Sequence, residues 1–232
     1  MASFQSLASR QPVLCYVTDR KALEAAGSHL LVESIRAAID AGVDWIQIRE
    51  KDLPARKLSA LAGDAVRLAA ELGRGTRILV NDRLDIAIAA GAAGVHLGGE
   101  SVAVADAVRW CRGGNAPEGF LIGVSCHQIE DAREAERAGA SYVFFGPVYD
   151  TPSKRDFGPA QGRGRLAGVC DGVRIPVIAI GGVTEENAAE AVEAGASGIA
   201  AIRLFQEPED AASLKEGVDR LRKISRDARS RR

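Results

Sequence analysis

Cysteine is scarce in this 232-residue chain: Cys15, Cys111, Cys126 and Cys170 stand apart, with no CxxC spacing among them. That pattern excludes a disulfide framework or a zinc site and reads as reduced thiols in a cytoplasmic protein. No run approaches the roughly twenty apolar residues needed to cross a bilayer, so no membrane partner is expected. The opening MASFQSLASRQP lacks a positively charged end followed by an apolar run, and no secretory signal is expected. An excess of one charge is missing as well: 30 basic against 31 acidic side chains leave a formal net charge of -1. Neither nucleic acid nor an anionic membrane is attracted globally, so any anion site must be local.

What is present is repetition. The phrases AGVDWIQIRE, AGAAGVHLGG, AGASYVFFGP and AGASGIAAIR begin at Ala41, Ala90, Ala138 and Ala194. In each, an alanine-rich amphipathic segment halts at a glycine and a short apolar run follows. Those glycines recur roughly every 50 residues, about twice the length of one βα unit. The second unit of each interval is supplied by VLCYVTD, RILVND, LIGVSCH and PVIAIGG. Eight nearly continuous apolar strands alternate with HLLVESIRAAIDAG, ARKLSALAGDAVRLAAELG, RLDIAIAAG, SVAVADAVRWC, QIEDAREAERAG, ENAAEAVEAG and ASLKEGVDRLRKI. The pattern predicts an α/β fold: a single (β/α)8 TIM barrel over residues 1–232, with a frayed basic tail from about residue 225. With 47% hydrophobic residues the chain can bury one large core.

An active site in such a barrel lies where the strands end. Those ends read Thr18-Asp19, Gln47 with Arg49 and Lys51, Asn81-Asp82, His96 with Glu100, Ser125 with His127, Pro147 to Lys154, Gly181-Gly182, and Arg203. Arg49, Lys51 and Lys154 are three cations on two of these ends, which suits a substrate carrying phosphate or diphosphate. Asn81-Asp82 offers oxygens for Mg2+, or else Asp82 caps the following helix. GPVYDTPSKRDFGPAQG is long for a βα loop and is expected to close over a ligand, with Lys154 near its tip. Gly181 and Gly182 precede a helix that Thr184 should cap, an arrangement that also suits a monophosphate. His96 reads first as a hydrogen-bonded strand-end histidine, Cys126 as apolar filler, and Ser125-x-His127 as no nucleophilic triad.

YVTDR, IQIREKD, LVNDRLDIA, GVHLGG, IGVSCH, YVFFGPVYDTPSK and VIAIGGVTEENAAEAVEAGASGIA follow one another across almost the whole chain. Together they resemble the thiamine-phosphate synthase family, which also includes metal-independent thiazole tautomerases. The resemblance implies a TIM-barrel transferase that joins hydroxymethylpyrimidine diphosphate to thiazole phosphate, with diphosphate leaving first. It assigns Gln47, Arg49, Lys51, Asn81 and Lys154 to the diphosphate, Asp82 to Mg2+, and Ser125 to the leaving group or pyrimidine. Thr151 and Gly182 would face the thiazole phosphate. Two departures stand out. The family usually reads HLGQxD, where this chain has HLGGES, so Ser101 replaces a second metal ligand and Glu100 is the adjacent substitute. Arg203 stands where the family usually has a phosphate-binding serine. In a tautomerase, His127 would be the acid–base residue; a catalytically silent precursor-binding regulator is a third reading. Arg49, Lys51, Asn81, Asp82 and Lys154 together favour the synthase, with Arg49, Lys154, Ser125 and His127 as the catalytic candidates. The alanine-rich helix exteriors resolve no interface, which leaves a homo-oligomer open.

Overall fold

Each of the four recurring glycines closes a helix. Gly42, Gly91, Gly139 and Gly195 have φ of 91°, 68°, 91° and 107°, the left-handed region that a side chain disfavours. The next residue donates its N–H back across the last turn, Val43 to Ala38, Ala92 to Ala87, Ala140 to Ala135 and Ala196 to Ala191. This double closure satisfies carbonyls that a helix end would otherwise leave orphaned, and it turns the chain straight into a strand.

The computed structural model describes residues 11–25, 31–151 and 159–231. Eight strands run β1 Val13–Val17, β2 Trp45–Ile48, β3 Arg77–Asn81, β4 Gly94–Leu97, β5 Leu121–Cys126, β6 Tyr142–Phe145, β7 Val177–Ile180 and β8 Gly198–Ala201. All neighbours pair in parallel and in sequence order, and β8 pairs with β1 to close the barrel. The helices are α1 Arg20–Ala25, α2 Leu31–Ala41, α3 Ala55–Leu72, α4 Leu84–Ala89, α5 Val104–Trp110, α6 Ile129–Ala138, α7 Gly162–Gly172, α8 Glu185–Glu193, α9 Arg203–Gln206 and α10 Ala211–Ser230. None is long and apolar enough to cross a membrane among the described residues.

Both strand faces are buried, and their alternation divides the core in two. Leu14, Tyr16, Ile46, Ile48, Val80, Val143 and Ile199 pack outward against the helices. Val13, Cys15, Trp45, Leu79, Tyr142, Phe144 and Ile178 fill the barrel itself. At its lower end Arg222 of α10 donates to the carbonyls of Pro12 and Gly42, each at 2.9 Å, and pairs with Asp44 at 2.7 Å. Asp44 in turn accepts the Leu14 N–H at 2.7 Å, so the last helix is bolted to the first two strands.

Two elements differ from the sequence expectation. α7 forms over GRGRLAGVCDG despite four glycines, whose low helix propensity hides it. Burial of Leu166 and Val169 supplies what propensity does not. The basic tail is helical as far as it is described: α10 continues to Ser230, with its own Ser225 and Ala228 buried and Arg231 paired to Glu193 at 3.0 Å.

Candidate active site

The inward positions at the C-terminal mouth are set by strand parity and register. Val17 lies beside Gln47, Gln47 beside Leu79, Asn81 beside His96, and Ser125 beside Phe144. Two polar rows cross this otherwise apolar interior.

The first row starts at buried Gln47, whose Nε2 donates to Asn81 Oδ1 at 2.8 Å. Asn81 Nδ2 then donates to Asp82 Oδ2 at 2.6 Å. The other carboxylate oxygen accepts the Gly98 N–H at 3.1 Å and the Ser101 hydroxyl. Asp82 has a φ of 61°, alone among non-glycine residues described, a conformation that aspartate tolerates better than most. It does not cap α4: Arg83 holds that position without a side-chain capping bond. Asp82 is thus turned away from the helix and across the rim toward the loop after β4.

The second row is buried His96, with Nε2 3.0 Å from Ser125 Oγ and Nδ1 3.1 Å from Tyr142 Oη. The hydrogen-bonded reading of His96 therefore holds. His127 does not join this row. It is exposed, with its Nδ1 2.6 Å from the Gly146 carbonyl, so that nitrogen carries the donated proton and Nε2 is left for other partners.

The charge run after β2 separates into distinct roles. Arg49 is half-buried and has no ion pair among the described residues. Lys51 is exposed, and Asp52 pairs with Arg20 at 2.6 Å. Glu50 is buried on the helix-facing side, only 4% exposed, taking the Thr18 hydroxyl at 2.7 Å and the Arg20 N–H at 3.1 Å. Thr18 Oγ1 also accepts the Arg49 N–H at 2.9 Å. This clamp fixes the backbone that carries Arg49, and composition gave no sign of it. Its signal was parity, since Glu50 continues the helix-facing series Ile46 and Ile48.

Burial raises the Glu50 pKa from its ordinary value, against the lowering effect of the Thr18 and Arg20 bonds. A folded value above the unfolded one means that ionised Glu50 costs stability, and the cost is relieved as pH falls through the folded pKa toward about 4.3. The wild type should therefore gain stability relative to Glu50→Gln on acidification across that window. Urea midpoints of the two chains would show it; a difference that stays constant with pH would contradict it.

The opposite side of the mouth gathers the remaining candidates. Gly181 and Gly182 have φ of 92° and 66°. A Cβ at Gly182 would meet the Asp150 carbonyl oxygen at 2.5 Å, so the segment leading to Thr151 lies directly against this glycine. Arg203 Nη2 reaches Thr151 Oγ1 at 3.4 Å. Thr151, Gly182 and Arg203 are thereby brought together. Asn187 accepts the Thr184 N–H at 2.8 Å, and α8 starts there as expected. Lys154 lies outside the described residues.

Among the described residues a metal would have one carboxylate here. Glu100 is exposed and makes no hydrogen bond to Asp82; the hydroxyl of Ser101 does. No group of three His, Cys, Asp or Glu side chains is placed to hold a metal among the described residues. Three of roughly four acceptor directions on Asp82 are already engaged. The set still fits Mg2+, which commonly uses one or two carboxylates and takes its other ligands from water and substrate phosphates.

A profile of the thiamine monophosphate synthase family matches residues 14–205. The putative thiamine-phosphate synthase of Geobacter sulfurreducens is 46% identical over 189 residues, covering 82% of this chain and 84% of that protein. The thiamine-phosphate synthase of Roseiflexus castenholzii is 41% identical over 194 residues, covering 84% and 81%. Among solved structures, thiamine phosphate pyrophosphorylase from Pyrococcus furiosus superposes with a TM-score of 0.79 at 32% identity, covering 93% of this chain and 96% of that one.

Proposed function

The chain belongs to the thiamine monophosphate synthase family, and from that premise we propose that it transfers the hydroxymethylpyrimidine group from its diphosphate to thiazole phosphate. Diphosphate is the leaving product, and thiamine phosphate the one carried forward in thiamine biosynthesis. The observation that carries this reading is the bonded row Gln47–Asn81–Asp82 at a mouth that also holds Arg49, which has no ion pair among the described residues.

In this reading Arg49 grips the diphosphate by a two-pronged contact, and Lys51 and Lys154 add charge around it. Asn81 is held between Gln47 and Asp82, so its amide is oriented before substrate arrives and costs little ordering on binding. Asp82 would hold Mg2+, which supplies dispersal of the charge that collects on the departing diphosphate. Because the described residues bring one carboxylate to the spot, the cation would enter together with the diphosphate. Ser125 contacts the pyrimidine side. Thr151, Gly182 and Arg203 receive the thiazole phosphate, where a guanidinium can make paired bonds that a hydroxyl cannot.

A tautomerase reading draws on one observation, the exposed His127 ring fixed by the Gly146 carbonyl. That reaction has no need for the row ending at Asp82. Genetic complementation separates the two. A bacterial strain lacking its own thiamine-phosphate synthase should grow without thiamine when given this chain, and stop growing when Arg49 is alanine. Failure of the intact, well-expressed chain to support growth would count against the transferase.

A further inference from the structure

The second polar row is separate from Gln47–Asn81–Asp82 and runs from the middle of the barrel to the rim. Its lower end, Tyr142, is 0% exposed, and its ring packs 4.8 Å from Trp45 and 5.5 Å from Phe144. His96 lies 4.2 Å from the Phe144 ring and meets a hydroxyl at each nitrogen. The imidazole is thus located by aromatic contact and by Tyr142 on one side, and it presents its other nitrogen to Ser125.

A further contact ties the same tyrosine to Ser125. Gly123 sits two residues before Ser125 on the inward face of β5. A Cβ there would lie 2.0 Å from Tyr142 Cζ and 2.4 Å from its hydroxyl oxygen. Any side chain at 123 would displace either the tyrosine or the strand that carries Ser125. Gly123 has no positive φ, so space and not backbone conformation demands glycine at this position. Burial raises the Tyr142 pKa well above its ordinary value, which keeps the phenol protonated and the row intact across neutral pH.

We propose that Tyr142 is a positioning residue for the transfer reaction, acting through His96 to fix the Ser125 hydroxyl at the pyrimidine side, with Gly123 as the space that admits it. The proposal rests on the transferase reading above. Tyr142 itself lies too deep in the barrel to be credited with touching substrate. Its contribution is orientation of a group that does, which converts to rate because a misdirected hydroxyl loses its contact in the transition state.

Four chains test this: wild type, Ser125→Ala, Tyr142→Phe and the double variant, assayed for thiamine phosphate formation. Tyr142→Phe should lower kcat about tenfold, the worth of one well-placed hydrogen bond, while leaving KM for thiazole phosphate unchanged. Adding it to Ser125→Ala should lower kcat no further. Multiplying losses would overturn the proposal, because a merely structural tyrosine has no coupling to Ser125. Gly123→Ala should reproduce Tyr142→Phe; where it fails to fold, the Tyr142→Phe cycle alone decides. NMR of 15N-labelled histidine reads the same row without catalysis. Tyr142→Phe should shift both His96 ring nitrogens, and Ser125→Ala chiefly Nε2. Unmoved His96 resonances in Tyr142→Phe would overturn the proposal even in a chain that made no product, whereas a silent wild type with shifted resonances would sink only the transferase reading.

Discussion

Arg49→Ala should lower kcat for thiamine phosphate formation by about 10²–10³-fold, the range seen when one preorganised contact to developing charge is removed. The size follows from its setting. Arg49 is half-buried, its backbone is fixed by Thr18 and Glu50, and its guanidinium has no carboxylate partner among the described residues. A charge held in place without a partner is one whose interaction is reserved for ligand. Arg49→Lys should recover only part of the loss, since an ammonium keeps the charge and gives up the planar fork. Steady-state rates under saturating concentrations of both substrates provide the check. An Arg49→Ala chain within twofold of wild type would remove this residue from the diphosphate site.

The second large effect belongs to Asp82, and here two substitutions part company. Asparagine accepts the left-handed backbone that Asp82 adopts at φ 61°, and its carbonyl oxygen can take over bonds from Gly98 and Ser101. Its NH2 group cannot replace the oxygen to which Asn81 Nδ2 donates, so Asp82→Asn should fold at a cost of about 1 kcal/mol, one hydrogen bond. It should nevertheless need at least about 100-fold more Mg2+ for half-maximal rate, because the one carboxylate offered to the cation is gone and even outer partners of metal ligands can matter that much. Asp82→Ala loses more. It leaves Gly98 and Ser101, as well as the Asn81 amide, without their acceptor and places alanine where φ is positive, a combined cost of about 3 kcal/mol. Denaturation midpoints and Mg2+ titrations of the two variants, measured side by side, separate backbone fit from charge. An unaltered Mg2+ requirement in Asp82→Asn would place the cation elsewhere.

How much of this was legible in the sequence depended on whether the cause was local. Four glycines at helix ends announced the βα rhythm, because a left-handed closure needs glycine wherever it occurs. Strand ends announced the mouth, because polar residues following buried apolar runs have only one rim to reach. α7 was hidden, since its glycines argue against a helix and only tertiary burial of Leu166 and Val169 argues for one. The tail was hidden for the same reason: SRDARSRR looks solvated, yet its Ser225 and Ala228 are buried on the inner face of α10. At the site, the residue types were readable and their partners were not. IREKD reads as one charged stretch, yet Glu50 is a buried clamp, Asp52 pairs with Arg20, and Arg49 is half-buried with no ion pair among the described residues. Ser101 was noted as the loss of a carboxylate; that its hydroxyl lies on Asp82 depends on how the loop after β4 turns at Gly98.

The account stands most directly on one stoichiometric assay. Purified chain is given hydroxymethylpyrimidine diphosphate and thiazole phosphate, and released diphosphate and thiamine phosphate are quantified in the same sample, with Mg2+ and with excess chelator. The account predicts one diphosphate per thiamine phosphate, and loss of both products on chelation. Rearrangement of a thiazole carboxylate that survives chelator and disappears in His127→Ala, with no diphosphate released, would contradict it.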